Sequence, residues 1–358
     1  MSAQFNHPVL TIDSQFHSYD VVIGRGVVAE YLRTSNQIIV ADRRFQHLNE
    51  PEGRHRCIFI DAVEGQKTLS TVETVMSELQ KAGTNRDSTI LAIGGGIIQD
   101  VATLTASLYM RGIKWQYAPT TLLAMADSCI GGKSSINVAS VKNLIGNIYP
   151  PGQIFIDTEF LTTLPPEDIA GGLAEAAKIA FCKGTEDFQA FMDFTLGDFP
   201  SNVDAMLTFI LQIKKWFIEI DEFDKAERKL LNFGHTFGHA LEVGSNHTIG
   251  HGLAVAFGMR AALNFEMQSR ALSSTEIQLS HYTSSLLTQL NVRWQDNPID
   301  WEKFKIAFDS DKKHKSSEYN LILPNFGGSV RIQAISKSVS NLQRVVEAQK
   351  QALTLGVL

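Results

Sequence analysis

Residues 88–100 read STILAIGGGIIQD, an apolar run entering three glycines, Gly94, Gly95 and Gly96, and leaving as a helical pattern. A strand that turns on glycine into a helix lets backbone amides and a helix N-terminus come close to a phosphate. The turn is not a clean GxGxxG, because Gln99 occupies the last position. A merely tight structural turn would use the same residues, and Asp100 suits a helix start by the dipole alone.

Working outward, short apolar runs alternate with helical patterns. YDVVIG (19–24), NQIIVADRR (36–44) and RCIFIDA (56–62) read as strands, and TVETVMSELQKAG (71–83) as a helix. Strand, helix, strand in that rhythm implies parallel pairing, hence an α/β layer. After GQIFIDTEFLTTLPPEDIAGG (152–172) the strand signals thin out. Pro165 and Pro166 followed by acids look like a helix start, and amphipathic helix dominates to the end. The boundary is expected near residue 160, giving domains 1–160 and 161–358, with LGDFPSNVD (196–204) a loop between helices.

Two domains suit 358 residues. With 44% apolar and 20% charged residues the chain reads as an ordinary soluble protein. A formal charge of −6 argues against a nucleic-acid or anionic-membrane partner, so any anion site must use a few local cations. No stretch approaches the roughly 20 apolar residues of a membrane span. The N-terminus lacks the basic and apolar regions of a secretory signal, and Cys57, Cys129 and Cys182 are scattered and odd in number. Both features suit a reducing cytoplasm.

Two further stretches carry chemistry. In LLNFGHTFGHALE (230–242), projected on one helix, Asn232, His235, His239 and Glu242 form a polar stripe opposite Leu230, Phe233, Phe237 and Leu241. Gly234 and Gly238 are unfavourable in a helix, which suggests close approach of another element. Two imidazoles at this spacing are structural as readily as metal-binding. The segment APTTLLAMADSCIGGKSSINVASVKNLIGN (118–147) gathers hydroxyls, amides, Lys133 and Lys142 among glycines. It suits a phosphorylated, polyhydroxylated ligand, or is simply a solvated loop.

GGGIIQD, PTTLLAMADSCIGGK, KNLIG, GGLAEAAK, NFGHTFGHALE, HGLAVAFGM and DKK follow in an order that resembles the 3-dehydroquinate synthase and sugar-phosphate cyclase family, over about residues 20–325. The resemblance implies a Rossmann-like α/β N-terminal NAD-binding domain and an all-α C-terminal metal-binding domain, a cleft site between them, and a homodimer. It implies a divalent metal, zinc or cobalt, on Glu175, His235 and His251, a set that would leave an open position for substrate. His239 would then touch substrate or relay a proton, and His247 be incidental.

For NAD it implies Asp42 on the adenosine ribose, Glu64 and Lys67 nearby, Gly95 and Gly96 at the pyrophosphate, Asp100 by the nicotinamide, and Thr120, Thr121 and Thr158 completing the pocket. Asp127, Lys133, Lys178, His239 and Asn232 would be catalytic. Lys133, Lys142, Asn143 and Lys313, with Arg111 from a partner subunit, would hold a phosphate, and Lys214 and Arg228 a carboxylate.

The implied reaction takes 3-deoxy-D-arabino-heptulosonate 7-phosphate to 3-dehydroquinate and phosphate. It passes through transient oxidation by NAD, phosphate elimination, re-reduction and aldol closure. Gln99 stands where the family commonly has Gly, Asp224 where it has Glu, and Leu253 in place of an acid; the loop NVASVKN (137–143) also departs. Other outcomes are a cyclase using sedoheptulose 7-phosphate or glucose 6-phosphate, a metal-dependent NAD alcohol or glycerol dehydrogenase, and a binding protein without turnover.

Overall fold

The computed structural model describes residues 7–34, 36–48, 55–139, 141–194, 196–296 and 298–354. In the N-terminal unit the strands are β1 (Val9–Ile12), β2 (Tyr19–Gly24), β3 (Ile38–Asp42), β4 (Arg56–Ile60), β5 (Thr89–Gly94), β6 (Lys114–Pro119), β7 (Ile136–Val138), β8 (Val141–Ile145) and β9 (Gln153–Asp157). Helices α1 (Val27–Thr34), α2 (Leu69–Lys81) and α3 (Gly96–Leu108) lie between them. One seven-stranded sheet has the order β1-β2-β9-β6-β5-β3-β4. All its pairings are parallel except the β1–β2 edge, while β7 and β8 form a separate antiparallel hairpin.

The central strand explains its own sequence. Ile90, Leu91, Ala92 and Ile93 are all fully buried, as a parallel strand covered on both faces requires. Leu91 and Ile93 share a core with Val22, Val27, Leu32, Ile39, Ala41, Ala118 and Phe155. From β3 the chain proceeds to β4 on one side, and from β5 to β6 on the other. The strand order therefore reverses between β3 and β5, which opens a crevice at their carboxyl ends. Asp42 ends one of these strands and Gly94 the other.

Next come α4 (Pro166–Lys183), α5 (Thr185–Met192) and α6 (Val203–Ile220), and then α7 (His235–Gly244), α8 (His251–Met267), α9 (Ser274–Gln289) and α10 (Trp301–Asp309). The hairpin β10 (Glu318–Pro324) and β11 (Val330–Ser336) precedes α11 (Val339–Leu353). Pro166 at the first turn of α4 matches the expected helix start.

Two compact units result, Met1–Leu164 with Val203–Phe223, and Pro165–Asn202 with Asp224–Leu358. The single cut expected near residue 160 therefore misses that α6 leaves the helical half and packs on β1, β2 and the turn Ala124–Ser128. A second difference is the β10–β11 hairpin, paired from Glu318↔Ser336 to Pro324↔Val330, inside an otherwise helical unit.

In that unit α8 is the central element, buried on every side from Gly252 to Glu266. Glycines bring neighbours onto it. A Cβ on Gly258 would fall 2.0 Å from the Gly234 carbonyl, one on Gly238 2.8 Å from the Ala254 carbonyl, and one on Gly252 2.5 Å from Gly171 Cα. So α7 and α4 touch α8 backbone to backbone. No helix among the described residues is long and apolar enough to cross a membrane.

Candidate active site

Those contacts assemble a cluster from three helices of the helical unit. Gly171 sits one turn before Glu175 on α4, and Gly252 follows His251, the first residue of α8. The αL conformation of Gly234 (φ 79°) starts α7 at His235. The expected continuous helix over 230–242 is corrected here: Asn232 lies in a separate 3₁₀ turn, Glu227–Asn232, and Phe233 leaves helical geometry (φ −54°, ψ 132°). Asn232 consequently leaves the histidine stripe and donates its side-chain amide to the Lys229 carbonyl at 3.1 Å. The close approach expected of Gly234 and Gly238 is present, with α8 as the neighbour.

Glu175 Oε1 lies 3.7 Å from Nε2 of both His235 and His251. Bonds of the usual length around a tetrahedral zinc put ligand atoms about 3.4 Å apart, so the three donors fit one cation with little movement. His235 Nδ1 faces the Phe233 carbonyl at 3.2 Å, and a carbonyl can only accept. Nδ1 therefore carries the proton and Nε2 keeps its lone pair. His251 Nδ1 meets Glu242 Oε1 at 2.7 Å, which turns its Nε2 toward Glu175 as well. Burial, and then the Lys178 charge, hold His235 well below the usual histidine range, so it is neutral and able to ligate.

His239 joins the cluster. One ligand atom each of His235, His239 and His251 lie within 4.8 Å of one another. Burial and the neighbouring Lys313 lower its pKa to about 4. Lys178, one turn after Glu175 on the same buried face, pairs with Glu175 Oε2. Lys313 is held on Asp311 Oδ2 at 2.7 Å.

In the α/β unit, Gly95 caps α3 without any side-chain cap, so the first amides of the helix are not engaged by a capping side chain. A Cβ on Gly96 would meet nothing within 4 Å. That open face beside a helix N-terminus fits a pyrophosphate. Asp42, expected on the adenosine ribose, is buried at the end of β3 and accepts from the Arg44 amide at 3.1 Å. The Thr120 amide donates to Gly94, and Thr121 Oγ1 accepts from Ala124. Thr158 follows β9 directly; the preceding Asp157 accepts from Gly26 and Val28 at the start of α1.

Beside this turn lies a polar network. Lys67 Nζ reaches Asp100 Oδ2 at 2.6 Å and Asn143 Oδ1 at 2.7 Å. Ser135 donates to Asp100 through its amide at 2.9 Å and its hydroxyl at 3.2 Å. Burial raises the Asp100 carboxyl above its ordinary range against the pull of Lys67 and Ser135. Glu64 Oε1 accepts from Asn137 at 2.8 Å. Asn143 and Lys67, expected at phosphate and cofactor respectively, thus share one network.

The remaining expected residues are placed as follows. Asp127, in the π-helical turn Ala124–Ser128, takes the Lys214 ammonium through both its carboxylate and its carbonyl. Lys133 bridges to Ile148, and Lys142 is exposed on β8. Arg228 is buried in the turn Glu227–Asn232. Arg111 is exposed after Met110, both at positive φ (69° and 50°), a strained presentation for non-glycine residues. Sequence reasoning assigned no role to Glu242, Ser135 or Ser128. Glu242 was visible as part of the stripe, but its partner His251 lies beyond a turn that no periodicity predicts.

Residues 57–171 match the 3-dehydroquinate synthase N-terminal family, and residues 172–314 the 3-dehydroquinate synthase C-terminal family. A 3-dehydroquinate synthase of Campylobacter concisus is 32% identical over 333 residues, covering 91% of this chain and 90% of that protein. One from a Sulfurovum species is 36% identical over 278 residues, covering 77% and 78%. Among solved structures, 2-deoxy-scyllo-inosose synthase complexed with carbaglucose-6-phosphate, NAD+ and Co2+ aligns with a TM-score of 0.82 at 24% identity, over 96% of this chain and all of that one.

Proposed function

The chain belongs to the 3-dehydroquinate synthase family, and from that premise we propose that it converts 3-deoxy-D-arabino-heptulosonate 7-phosphate to 3-dehydroquinate and phosphate with NAD and a divalent metal. The observation that carries the reading is the convergence of Glu175 with Nε2 of His235 and His251, each imidazole oriented through its other nitrogen. When bound, NAD supplies reversible acceptance of a hydride, and the cation supplies Lewis acidity to substrate oxygens.

The chain's own residues provide the rest. Asp42, Gly95, Gly96, Thr120, Thr121 and Thr158 hold NAD along the β3–β5 crevice, with Glu64, Lys67 and Asp100 beside it. Lys178, pinned on Glu175, offers a proton donor to an oxygen at the metal position. Burial and the Lys313 charge keep His239 neutral through the physiological range, which suits a hydrogen-bonding contact to substrate. Asp127 fixes the Lys214 ammonium. Lys214 and Arg228 bind the carboxylate of the sugar acid, a pair of cations that a carboxylate-free sugar phosphate would leave unused. Lys133, Lys142, Asn143 and Lys313 serve the phosphate, and Asn232 a substrate hydroxyl. Exposed Arg111, on its strained turn, would reach a second copy of the chain in a homodimer, and we place the enzyme in the cytoplasm.

The test is phosphate release from this sugar acid, sedoheptulose 7-phosphate and glucose 6-phosphate in parallel, with NADH followed by absorbance. Release from the sugar acid alone, without net NADH, is expected. Release only from a carboxylate-free sugar changes the substrate, and stoichiometric NADH would make the protein a dehydrogenase.

A further inference from the structure

We propose that Gln99 is a positioning residue: its side-chain amide ties the turn that carries Asp127 to the first turn of α3, and so sets the Asp127–Lys214 pair relative to the glycine turn. The inference rests on the proposed function of that pair. Gln99 is 2% exposed. Its Nε2 donates to the Ser128 carbonyl at 2.7 Å, while the Ser128 hydroxyl donates to its Oε1 at 2.6 Å. Both ends of the amide are therefore engaged by one residue, the neighbour of Asp127.

A buried amide is unfavourable unless both its ends are bonded, and a small or aliphatic residue would serve the helix as well. What the amide adds is a fixed distance and direction. The tied segment needs such a constraint, because Ala124–Ser128 is a π-helical turn, a rare wide geometry closed by the Cys129 amide on the Ala124 carbonyl at 2.9 Å. Successive carbonyls of this turn are taken by different elements: that of Asp127 by Lys214 of α6, that of Ser128 by Gln99 of α3. The next residue of α3, Asp100, holds Lys67 and Ser135. One helical turn thus links the cofactor network to the substrate-side pair. The same glutamine that interrupts the GxGxxG pattern makes this link.

The experiment compares Gln99→Leu, Ser128→Ala, the double variant and Ser128→Thr in the full-length protein. It measures kcat and KM for the sugar acid phosphate, and NAD affinity by fluorescence quenching. Loss of the tie is expected to lower kcat about 10-fold in Gln99→Leu and no further in the double variant, with a smaller loss of about threefold in Ser128→Ala, which keeps the bond from Gln99 to the Ser128 carbonyl. Ser128→Thr keeps the hydroxyl and should stay within about twofold of the parent, and NAD affinity should hold within about threefold in all four.

Parental kcat in Gln99→Leu, multiplicative losses in the double variant, or a loss confined to NAD affinity would each overturn the inference. Should Gln99→Leu fail to fold, Ser128→Ala removes one hydroxyl only and decides the matter by the same kcat reading against Ser128→Thr. Asp127→Asn separates the two claims. If it abolishes turnover while Gln99→Leu does not alter it, the tie is wrong and the functional reading stands; full turnover in Asp127→Asn overturns both.

Discussion

At the scale of single residues, the chemistry depends on which nitrogen of each histidine keeps its lone pair. For His251 that choice is made by Glu242, which holds Nδ1 at 2.7 Å. Glu242→Ala should weaken zinc binding by roughly 10- to 100-fold, the usual effect of losing a carboxylate behind a ligating imidazole, and Glu242→Gln, which keeps an acceptor, should lie between. Competition with a chromophoric chelator measures this, and an unchanged affinity in Glu242→Ala would remove Glu242 from the site. Arg228→Ala should raise KM for the sugar acid by about 10-fold or more through loss of a charge-assisted contact, with a smaller effect on a carboxylate-free sugar phosphate. Steady-state kinetics on both substrates checks it. Spacing was enough to single out His235, His239 and Glu242 as one polar stripe, while Glu175, Lys178 and His251 came into view only through the family resemblance. Spacing could not reveal the Lys67–Asp100–Ser135–Asn143 network or the Asp127–Lys214 pair, because the bonds of Lys67 and Asp100 and that of Lys214 join residues separated by tens of positions and are fixed only when strands and helices pack.

Elements meet here through glycine. The glycines of the histidine segment were readable as a sign that some backbone comes close; that the partner is α8, with Gly258 of its own against Gly234, was not. Gly258→Ala places a methyl group 2.0 Å from the Gly234 carbonyl, so α7 and α8 must separate. Overpacking of this kind typically destabilises by about 1–3 kcal/mol. Gly65→Ala, where a Cβ meets nothing within 4 Å, should stay within about 0.5 kcal/mol of the parent. Urea unfolding of the two variants gives the comparison, and equal midpoints would refute the backbone contact. Metal affinity should fall in Gly258→Ala too, since the shift moves His235 and His239 against His251. The helix break at Phe233–Gly234 escaped projection because a 3.6-residue period continues across it, whereas the αL turn that ends the pattern is a backbone property of Gly234. The β10–β11 hairpin was missed for a related reason: it is one short pair within a run of helices, β10 alternates between buried and accessible positions only from Glu318 to Leu321, and β11 is buried only at Val330.

For the whole molecule, the alternation of strands and helices was enough to predict the α/β half, and the amphipathic pattern after Pro166 the helical half. Helix α6 shows where such reading stops, since an amphipathic stripe announces burial without naming the surface that buries it, and packing assigns α6 to the N-terminal unit. The division has a measurable consequence. Every proposed NAD contact lies in the unit Met1–Leu164 with Val203–Phe223, and every proposed metal donor in the unit Pro165–Asn202 with Asp224–Leu358. A ligand that binds only the folded state stabilises it by about 2.7 kcal/mol at a free concentration 100 times its dissociation constant. Zinc at that excess should raise the thermal midpoint of the parent and a chelator reverse it, while His235→Ala should respond to neither. NAD should still raise the midpoint of the chelated parent and of His235→Ala, because none of its proposed contacts is a metal donor. Differential scanning fluorimetry on parent and variant, with each ligand alone and together, reads all of these shifts. A zinc-dependent rise that survives in His235→Ala would place the metal elsewhere, and loss of the NAD shift on chelation would contradict the assignment of cofactor and metal to separate sets of residues.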